Sequence, residues 1–250
     1  MDYLFLALTN PEDDRDADFN RWYNAHHVPE VLKYGRGFLS GRRYRLEPLG
    51  DGPNTFPWKY LACYTMTADD LRGYHEAPWT TSQPPLTPFR GFLRDDHAAW
   101  IYRPDSSDGS EHVVSIGDDL RRFVDSAHSL VWDLVRVDAA REDDFHRWHE
   151  AHLESVRTVN GRPIARRRYV LADHQRPSQP VSYWKYLTVY AISDQVAHQV
   201  DTVVAAVRGQ LESHRLTDPW TERFVCAWAA ISPSYVAASA GQFDDPRGRT

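Results

Sequence analysis

Nine residues, Phe19-Asn20-Arg21-Trp22-Tyr23-Asn24-Ala25-His26-His27, return 126 positions later as Phe145-His146-Arg147-Trp148-His149-Glu150-Ala151-His152-Leu153. Phe, Arg, Trp, Ala and His keep their places. The same offset aligns Gly35-Arg36 with Gly161-Arg162, and Trp58-Lys59-Tyr60-Leu61 with Trp184-Lys185-Tyr186-Leu187. A repeat carried through three separated segments predicts two copies of one unit of roughly 100 residues, the size of a small domain. Whatever one copy folds into, the other must fold into as well.

Periodicity gives the order of elements within a copy. Residues 3–8 are apolar on both alternating faces, as in a strand covered on both sides. After an acidic run, Phe19, Trp22, Tyr23, His26 and Glu30 recur at three- and four-residue spacings and predict a helix, with Asp16 and Asp18 favourable at its amino end. Pro29 predicts a break or kink after His26, because an interior proline removes a helical hydrogen bond and collides with the preceding turn. Residues 40–46 and 58–66 read as strands. The second has Trp58, Tyr60, Ala62, Tyr64 and Met66 on one face and Lys59, Leu61, Cys63 and Thr65 on the other. A short helix at 67–75 and a strand at 98–102 complete the unit, and the proline-rich stretch 78–88 between them is suited to pack as a lid through Trp79 and Phe89. The second copy predicts strand 130–137, helix 145–156, strands 165–171 and 181–192, helix 194–211 and strand 224–231.

Strand, helix, strand, strand, helix, strand is a split β-α-β arrangement with a four-stranded antiparallel sheet. Its two helices cover one face, and the other apolar face needs a second sheet. The expected fold class is therefore α+β: tandem duplicated ferredoxin-like domains pairing as an intramolecular dimeric α/β-barrel. Residues 1–103 form the first domain, 104–125 a polar connector, 126–233 the second domain and 234–250 a loosely packed tail. Homo-oligomerisation of whole chains is compatible with this arrangement and is not demanded by it.

The helix bearing Phe19, Trp22, Tyr23 and His26 ahead of Val28-Pro29, followed by Gly41-Arg42-Arg43-Tyr44 and the strand from Tyr60 to Met66, resembles the dimeric α/β-barrel superfamily and, within it, the EthD-like proteins. The resemblance covers most of the chain. It implies ferredoxin-like units whose sheets pair into a barrel, and it places a helix histidine at His26. The superfamily includes cofactor-free monooxygenases, polyketide cyclases, decarboxylases, isomerases and haem enzymes. The second copy has His149 for Tyr23 and Leu153-Glu154-Ser155 for His27-Val28-Pro29, so equivalent activity in the two copies is not expected.

His26 is the leading candidate for proton transfer, since a histidine among aromatics is tuned by burial to work near neutral pH; His152 stands in the same relation to Trp148. The competing reading of each is a core histidine bonded to a carbonyl or tyrosine. Tyr60 and Tyr64 share a strand face, as do Tyr186 and Tyr190, and either pair could direct hydroxyls toward an enolate or phenolic oxygen, although large strand residues with one satisfied hydroxyl look the same. Arg42 is a candidate for stabilising developing negative charge and Arg43 for binding a carboxylate. With Arg167 and Arg168 they form pairs on alternating faces, so only one member of each pair can enter a given pocket. Trp22, Tyr23, Trp148 and His149 are candidate pocket residues, and His75 a candidate lid residue. Lys59 and Lys185 recur in register but fit lysines that snorkel to solvent.

His146, His149 and His152 invite a metal reading, yet the first and last lie well around the helix from each other and no ordered ligand signature accompanies them, so no metal is expected. Haem, needing only one axial histidine, stays compatible without a motif that demands it. No phosphate-binding glycine loop, nicotinamide fingerprint or serine elbow is present, and no dissociable cofactor is expected. A formal charge of −6 argues against a nucleic-acid partner, and no apolar run is long enough to cross a bilayer. Without a basic or hydrophobic signal segment at Met1-Asp2-Tyr3-Leu4, the expected compartment is the cytoplasm. Cys63 and Cys226 sit in apolar strand-like runs and read as buried thiols. Nine tryptophans and thirteen tyrosines suit both a core and the wall of a pocket for an aromatic or polyketide-like small molecule. The expected function is a cofactor-independent lyase, decarboxylase, cyclase or isomerase acting on such an acid through histidine proton transfer. The alternatives are a cofactor-free monooxygenase and a non-enzymatic small-molecule binding protein.

Overall fold

The structure, a computed structural model, describes residues 1–49, 56–76, 86–89, 92–105, 126–156, 158–175, 184–209 and 222–237. The first half runs β1 (Asp2–Pro11), α1 (Asp16–Trp22), one turn of π-helix (Tyr23–His27), α2 (Val28–Tyr34), β2 (Phe38–Glu47), β3 (Tyr60–Thr67), α3 (Leu71–Glu76) and β4 (Phe92–Pro104). The second half runs β5 (Ser129–Arg136), α4 (Glu142–Ser155), the two-residue strands β6 (Thr158–Val159) and β7 (Arg162–Pro163), then β8 (Ala165–Leu171), β9 (Tyr186–Ile192), α5 (Val200–Gly209) and β10 (Glu222–Ala230). A last short strand, β11, is Tyr235–Val236.

The strands join in the order β10-β5-β9-β8-β4-β1-β3-β2, and β2 pairs again with β10, so eight strands close into a barrel. Each half contributes four antiparallel neighbours. The two joins between halves are alike: the last strand of one half meets the second long strand of the other, as Tyr102↔Leu171 in one and Trp228↔Leu46 in the other. Closure removes the sheet edges that would otherwise template association.

Strand alternation then sorts the side chains into two layers. Leu4, Leu6 and Leu8 of β1, Tyr44 of β2, Leu130, Trp132 and Leu134 of β5, Tyr169 of β8 and Trp228 of β10 point inward and form one core with Trp100 and Tyr102. Trp132, Trp228, Tyr44 and Tyr169 are fully buried, so the interior is a packed core and not a channel. Cys63 and Cys226 both lie in it as free thiols. The outward faces are covered by helices: Phe19, Val28, Val31 and Leu32 close over Tyr60, Ala62 and Tyr64 in the first half, and Val203, Val204 and Val207 over Val131 and Val225 in the second. Within β3 the expected alternation is observed, with Leu61 and Cys63 inward and Tyr60, Ala62, Tyr64 and Met66 outward, but Trp58, expected on the Tyr60 face, precedes the strand and packs against the inward cluster beside Phe56 and Trp100.

Two expectations need correction. The tail expected from residue 234 is not loose at its start, because β10 covers only the Tyr44–Glu47 end of β2, and β11 fills the remaining edge through Tyr235↔Gly41 and Val236↔Ser40. The helix expected from residue 194 opens as a 3-10 segment, Asp194–Gln199, before α5. Trp79 and most of the proline-rich lid, residues 106–125 of the connector, and residues 238–250 lie outside the described residues. A Trp228→Ala substitution opens a void in the shared interior and is expected to cost about 3–5 kcal/mol, read as a lowered urea midpoint with one transition for both halves; two separate transitions would show that the interior does not unite them.

Candidate functional site

The helical layer of the first half departs from regular α-helix at the repeated segment. Val28 donates its amide to the Tyr23 carbonyl, five residues back, and widens the helix by one residue at Tyr23–His27. Pro29 explains the local choice: its missing N–H and bulky ring are tolerated where the turn is already wide. The widened turn carries the His27 ring over its neighbours, with centroids 4.8 Å from Trp22 and 4.6 Å from Tyr23. In the second half Leu153-Glu154-Ser155 replaces the sequence around Pro29, and α4 runs as α-helix without a π-turn. Single π-turns within helices recur at functional sites.

Beneath this turn lies Arg43, fully buried. Its guanidinium carbon sits 4.2 Å from the centroid of Tyr23, 5.3 Å from that of Phe19 and 5.4 Å from that of Tyr60. Nη1 donates to the Asn24 side-chain oxygen at 3.0 Å and reaches the Asn20 carbonyl at 3.5 Å. Nε and Nη2 are buried with no hydrogen-bond acceptor among the described residues, and no described carboxylate pairs with this cation. Burial therefore pulls Arg43 below the usual arginine value, offset only by the surrounding tyrosines Tyr23, Tyr64, Tyr60 and Tyr235. Unpaired buried charge is costly, by several kcal/mol.

The surroundings are polar but uncharged. Burial, followed by the Arg43 charge, pushes His27 down to about 4, so its imidazole is neutral at pH 7, and its Nδ1 is buried without a hydrogen-bond partner among the described residues. Tyr64 is raised well above the usual tyrosine value by burial and by the adjoining Tyr23 hydroxyl. Its ring lies against β2 only because residue 41 is glycine: a Cβ there would sit 2.6 Å from the Tyr64 ring. Beside Arg43 the sheet carries small residues. Arg43 pairs with Ala62, Ala62 with Ala7 and Ala7 with Ala99, placing one cation and three alanines in a row under the helices. Ala7 lies on a strand paired on both sides, yet it is partly exposed, whereas Ala62 and Ala99 are buried.

The equivalent row in the second half is filled. Arg168 pairs with Thr188, Thr188 with Asp133 and Asp133 with Val225. Arg168 Nε meets the Asp105 carboxylate at 2.9 Å, Asp133 accepts two bonds of 2.6 Å from Arg223, and His149 bridges Arg168 and Thr188 at 3.0 and 2.9 Å. Since an arginine only donates, His149 Nδ1 accepts and its proton is on Nε2. The equivalence of Arg43 with Arg168 follows from their partners Ala62 and Thr188, which are 126 positions apart. The sequence offset alone pairs Arg42 with Arg168, one residue out of step.

The other expected site residues are dispersed. Tyr60 lies beside Arg43, with its hydroxyl 2.5 Å from Asp16 and 3.0 Å from Asn20. Burial and that carboxylate raise it. Lys59 pairs with the same Asp16 at 2.7 Å, and Lys185 with Glu142, the equivalent residue. Tyr186 faces His146 at 3.4 Å, and Tyr190 is fully buried under the second helical layer. Arg42 points to the opposite face of β2, over Tyr44, and donates to the Ser232 carbonyl at 3.2 Å. Trp22 donates to the Thr87 carbonyl at 3.0 Å and stacks on Phe89, so the described end of the proline-rich stretch does close over the turn. His26 is partly buried on the π-turn and makes no hydrogen bond or ring contact with a described residue. His75 contacts the His174 carbonyl at 3.3 Å, away from Arg43. Trp148 is partly buried against Phe145, and the His152 side chain lies outside the described residues.

His27 was not singled out by spacing; its one signal was the proline two residues on. A separate groove of about 380 Å³, lined by Arg36, Thr67, Asp70, Gly73 and Tyr74 among others, borders none of these residues. Its polar groups largely satisfy one another, with Arg36 on the Tyr74 carbonyl at 2.6 Å and Asp70 on the Gly73 amide at 2.7 Å, so the candidate site is the one at Arg43. The depressed His27 gives a pH prediction. An unfolded histidine titrates near about 6.5, so the unfolded chain gains a proton that the folded chain does not as pH falls from there to about 4. Stability is lost over that window, and His27→Gln is expected to flatten it relative to the parent chain in urea midpoints measured from pH 7 to pH 4; unchanged curves would contradict the burial of Nδ1.

No family profile and no curated protein matches the chain. Among solved structures, an anthrone oxidase-like protein superposes with a TM-score of 0.50 at 11% identity, covering 94% of this chain and 93% of that one. A provisionally named monooxygenase from Fusobacterium nucleatum gives 0.48 at 8% identity over 94% of each chain. A mutant chlorite dismutase from Candidatus Nitrospira defluvii gives 0.47 at 11% identity, over 97% of this chain and 95% of that one. At such identities the likeness concerns fold alone.

Proposed function

We propose that the chain is a small-molecule enzyme acting without a dissociable cofactor on an aromatic or polyketide-like acid, through proton transfer at the Arg43 site of the first half. The observation that carries this reading is a buried guanidinium without a carboxylate, next to a neutral histidine whose Nδ1 is unpaired. Arg43 anchors the anionic group of the substrate. His27 Nδ1 takes a proton from a carbon beside a carbonyl, the electron pair moves into the carbonyl, and the Tyr64 hydroxyl donates to the resulting enolate oxygen. Return of the proton to another carbon completes an isomerisation; expulsion of a β-substituent completes a lyase step. His26, on the same turn, is the other candidate base. In this reading the two halves are fused copies of one unit, and only the first keeps the chemistry.

A second reading takes its support from the name of the anthrone oxidase-like fold neighbour. A cofactor-free monooxygenase would form the same carbanion and pass its electrons to molecular oxygen. Oxygen uptake in step with product separates this reading from the first, in which product forms equally under argon.

Proton transfer can be tested without knowing the product, by deuterium exchange into a panel of aromatic and polyketide-like acids in D2O followed by NMR. The parent chain is expected to label at least one of them. Arg43→Gln and His27→Gln, folded by circular dichroism, are expected to lower kcat/KM by roughly 10²–10³ and 10²–10⁴ respectively. Full activity in both variants would sink the assignment, and binding without exchange or oxygen uptake would leave a binding protein.

A further inference from the structure

The two halves solve the same electrostatic problem in different ways. Each buries one arginine at the same place in its sheet, and each has it backed by the residue that follows the other half's last strand. Asp105 donates its amide to the Arg168 carbonyl at 3.1 Å, and Ile231 donates its amide to the Arg43 carbonyl at 2.9 Å. Asp105 and Ile231 are therefore equivalent, and they are also 126 positions apart. In the second half that position supplies a carboxylate with a side chain 8% exposed, 2.9 Å from Arg168. In the first half it supplies isoleucine, packed against the cluster that holds Tyr23 and Tyr64.

The floor differs in the same sense. Asp133, Thr188 and Val225 occupy the second half where Ala7, Ala62 and Ala99 occupy the first. Asp133 and its partner Arg223 fill the space above that row with an ion pair whose side chains are 0% and 2% exposed. Three alanines on adjacent strands instead keep that row low; Ala62 and Ala99 are covered and Ala7 is the partly exposed one, in the same cluster as the rings of Trp22, Tyr23 and Tyr60. A flat ring system suits a seat made of a small residue and aromatic rings.

We propose that the first half binds a flat aromatic monocarboxylate at Ala7, its carboxylate meeting Arg43 as Asp105 meets Arg168 in the second half. The equivalent place in the second half is thus closed by the chain's own side chains, Asp105 among them, and the chain has one ligand site. This rests on taking the Arg43 site as the functional one and narrows its ligand: the anionic group is a carboxylate that stays on the molecule, not the group that reacts.

The test uses the purified full-length chain with 2-naphthoate and its neutral isostere 2-naphthamide, read by titration calorimetry. Naphthoate is expected to bind with a stoichiometry of one per chain and at least about tenfold more tightly than the amide. Ile231→Asp, which installs the second half's carboxylate beside Arg43, is expected to abolish that preference, while Ile231→Asn, of the same size and uncharged, retains it. Should Ile231→Asp not fold, Arg43→Gln reads the same contact. Equal affinity for acid and amide, no binding of either by the parent chain, two sites per chain, or undiminished naphthoate binding by folded Ile231→Asp would each overturn the proposal. Deuterium exchange separates this from the catalytic reading: a carboxylate site that behaves as described but supports no exchange removes the enzyme and keeps the site, whereas exchange that survives in Ile231→Asp removes the carboxylate anchor and keeps the enzyme.

Discussion

Closure of the barrel is the constraint on which the rest of the structure depends. Every long strand buries one face against the opposite sheet, and the shared interior is filled by large rings such as Trp132, Trp228, Tyr44 and Tyr169. The buried charged side chains described above lie in the outer layer, between each sheet and its helices. There Arg43 and Arg168 project from equivalent positions, and the helices decide what each cation meets.

Neither arginine can stay buried cheaply. Arg168 meets a carboxylate, a histidine acceptor and aromatic rings, so its charge is compensated inside the chain. Arg43 meets an amide oxygen and the faces of three aromatic rings, which offset part of the cost. The uncompensated part is available as binding energy for an anion, because a partner that restores the ion pair recovers what burial removed. The π-turn adds to this: it presents His27 next to the cation in its neutral form, with Nδ1 free of a proton at pH 7, although burial and the same cation weaken it as a base.

Strand faces and element order were legible in the sequence because a period of two and a period of 3.6 leave different marks. That Tyr60 and Tyr64 share one face of β3 followed from alternation alone; which face is outward did not. The position of His27 over Trp22 and Tyr23 was not legible, since a helix wheel assumes 100° per residue and the wide turn at Tyr23–His27 breaks that rule. Pro29 signalled a disturbance there but not its form. The choice between Arg42 and Arg43 depended on register, and a one-residue slip between the repeats before the second long strand hides it. The exchange of Asp105 for Ile231 is silent in sequence, because an aspartate beside a proline at a strand end reads as the start of a connector. Only backbone pairing to Arg168 and Arg43 shows that the two residues do one job.

The central claim is that one of two equivalent buried arginines is free to take an anion and the other is not. Arginine side-chain Nε–H resonances report this directly, once Arg43 and Arg168 are assigned by substitution in the ¹⁵N-labelled chain. Titration with benzoate is predicted to shift the Arg43 Nε–H signal in a saturable manner and to leave that of Arg168 in place. A shift at Arg168, or none at Arg43 at saturating benzoate, would contradict the account.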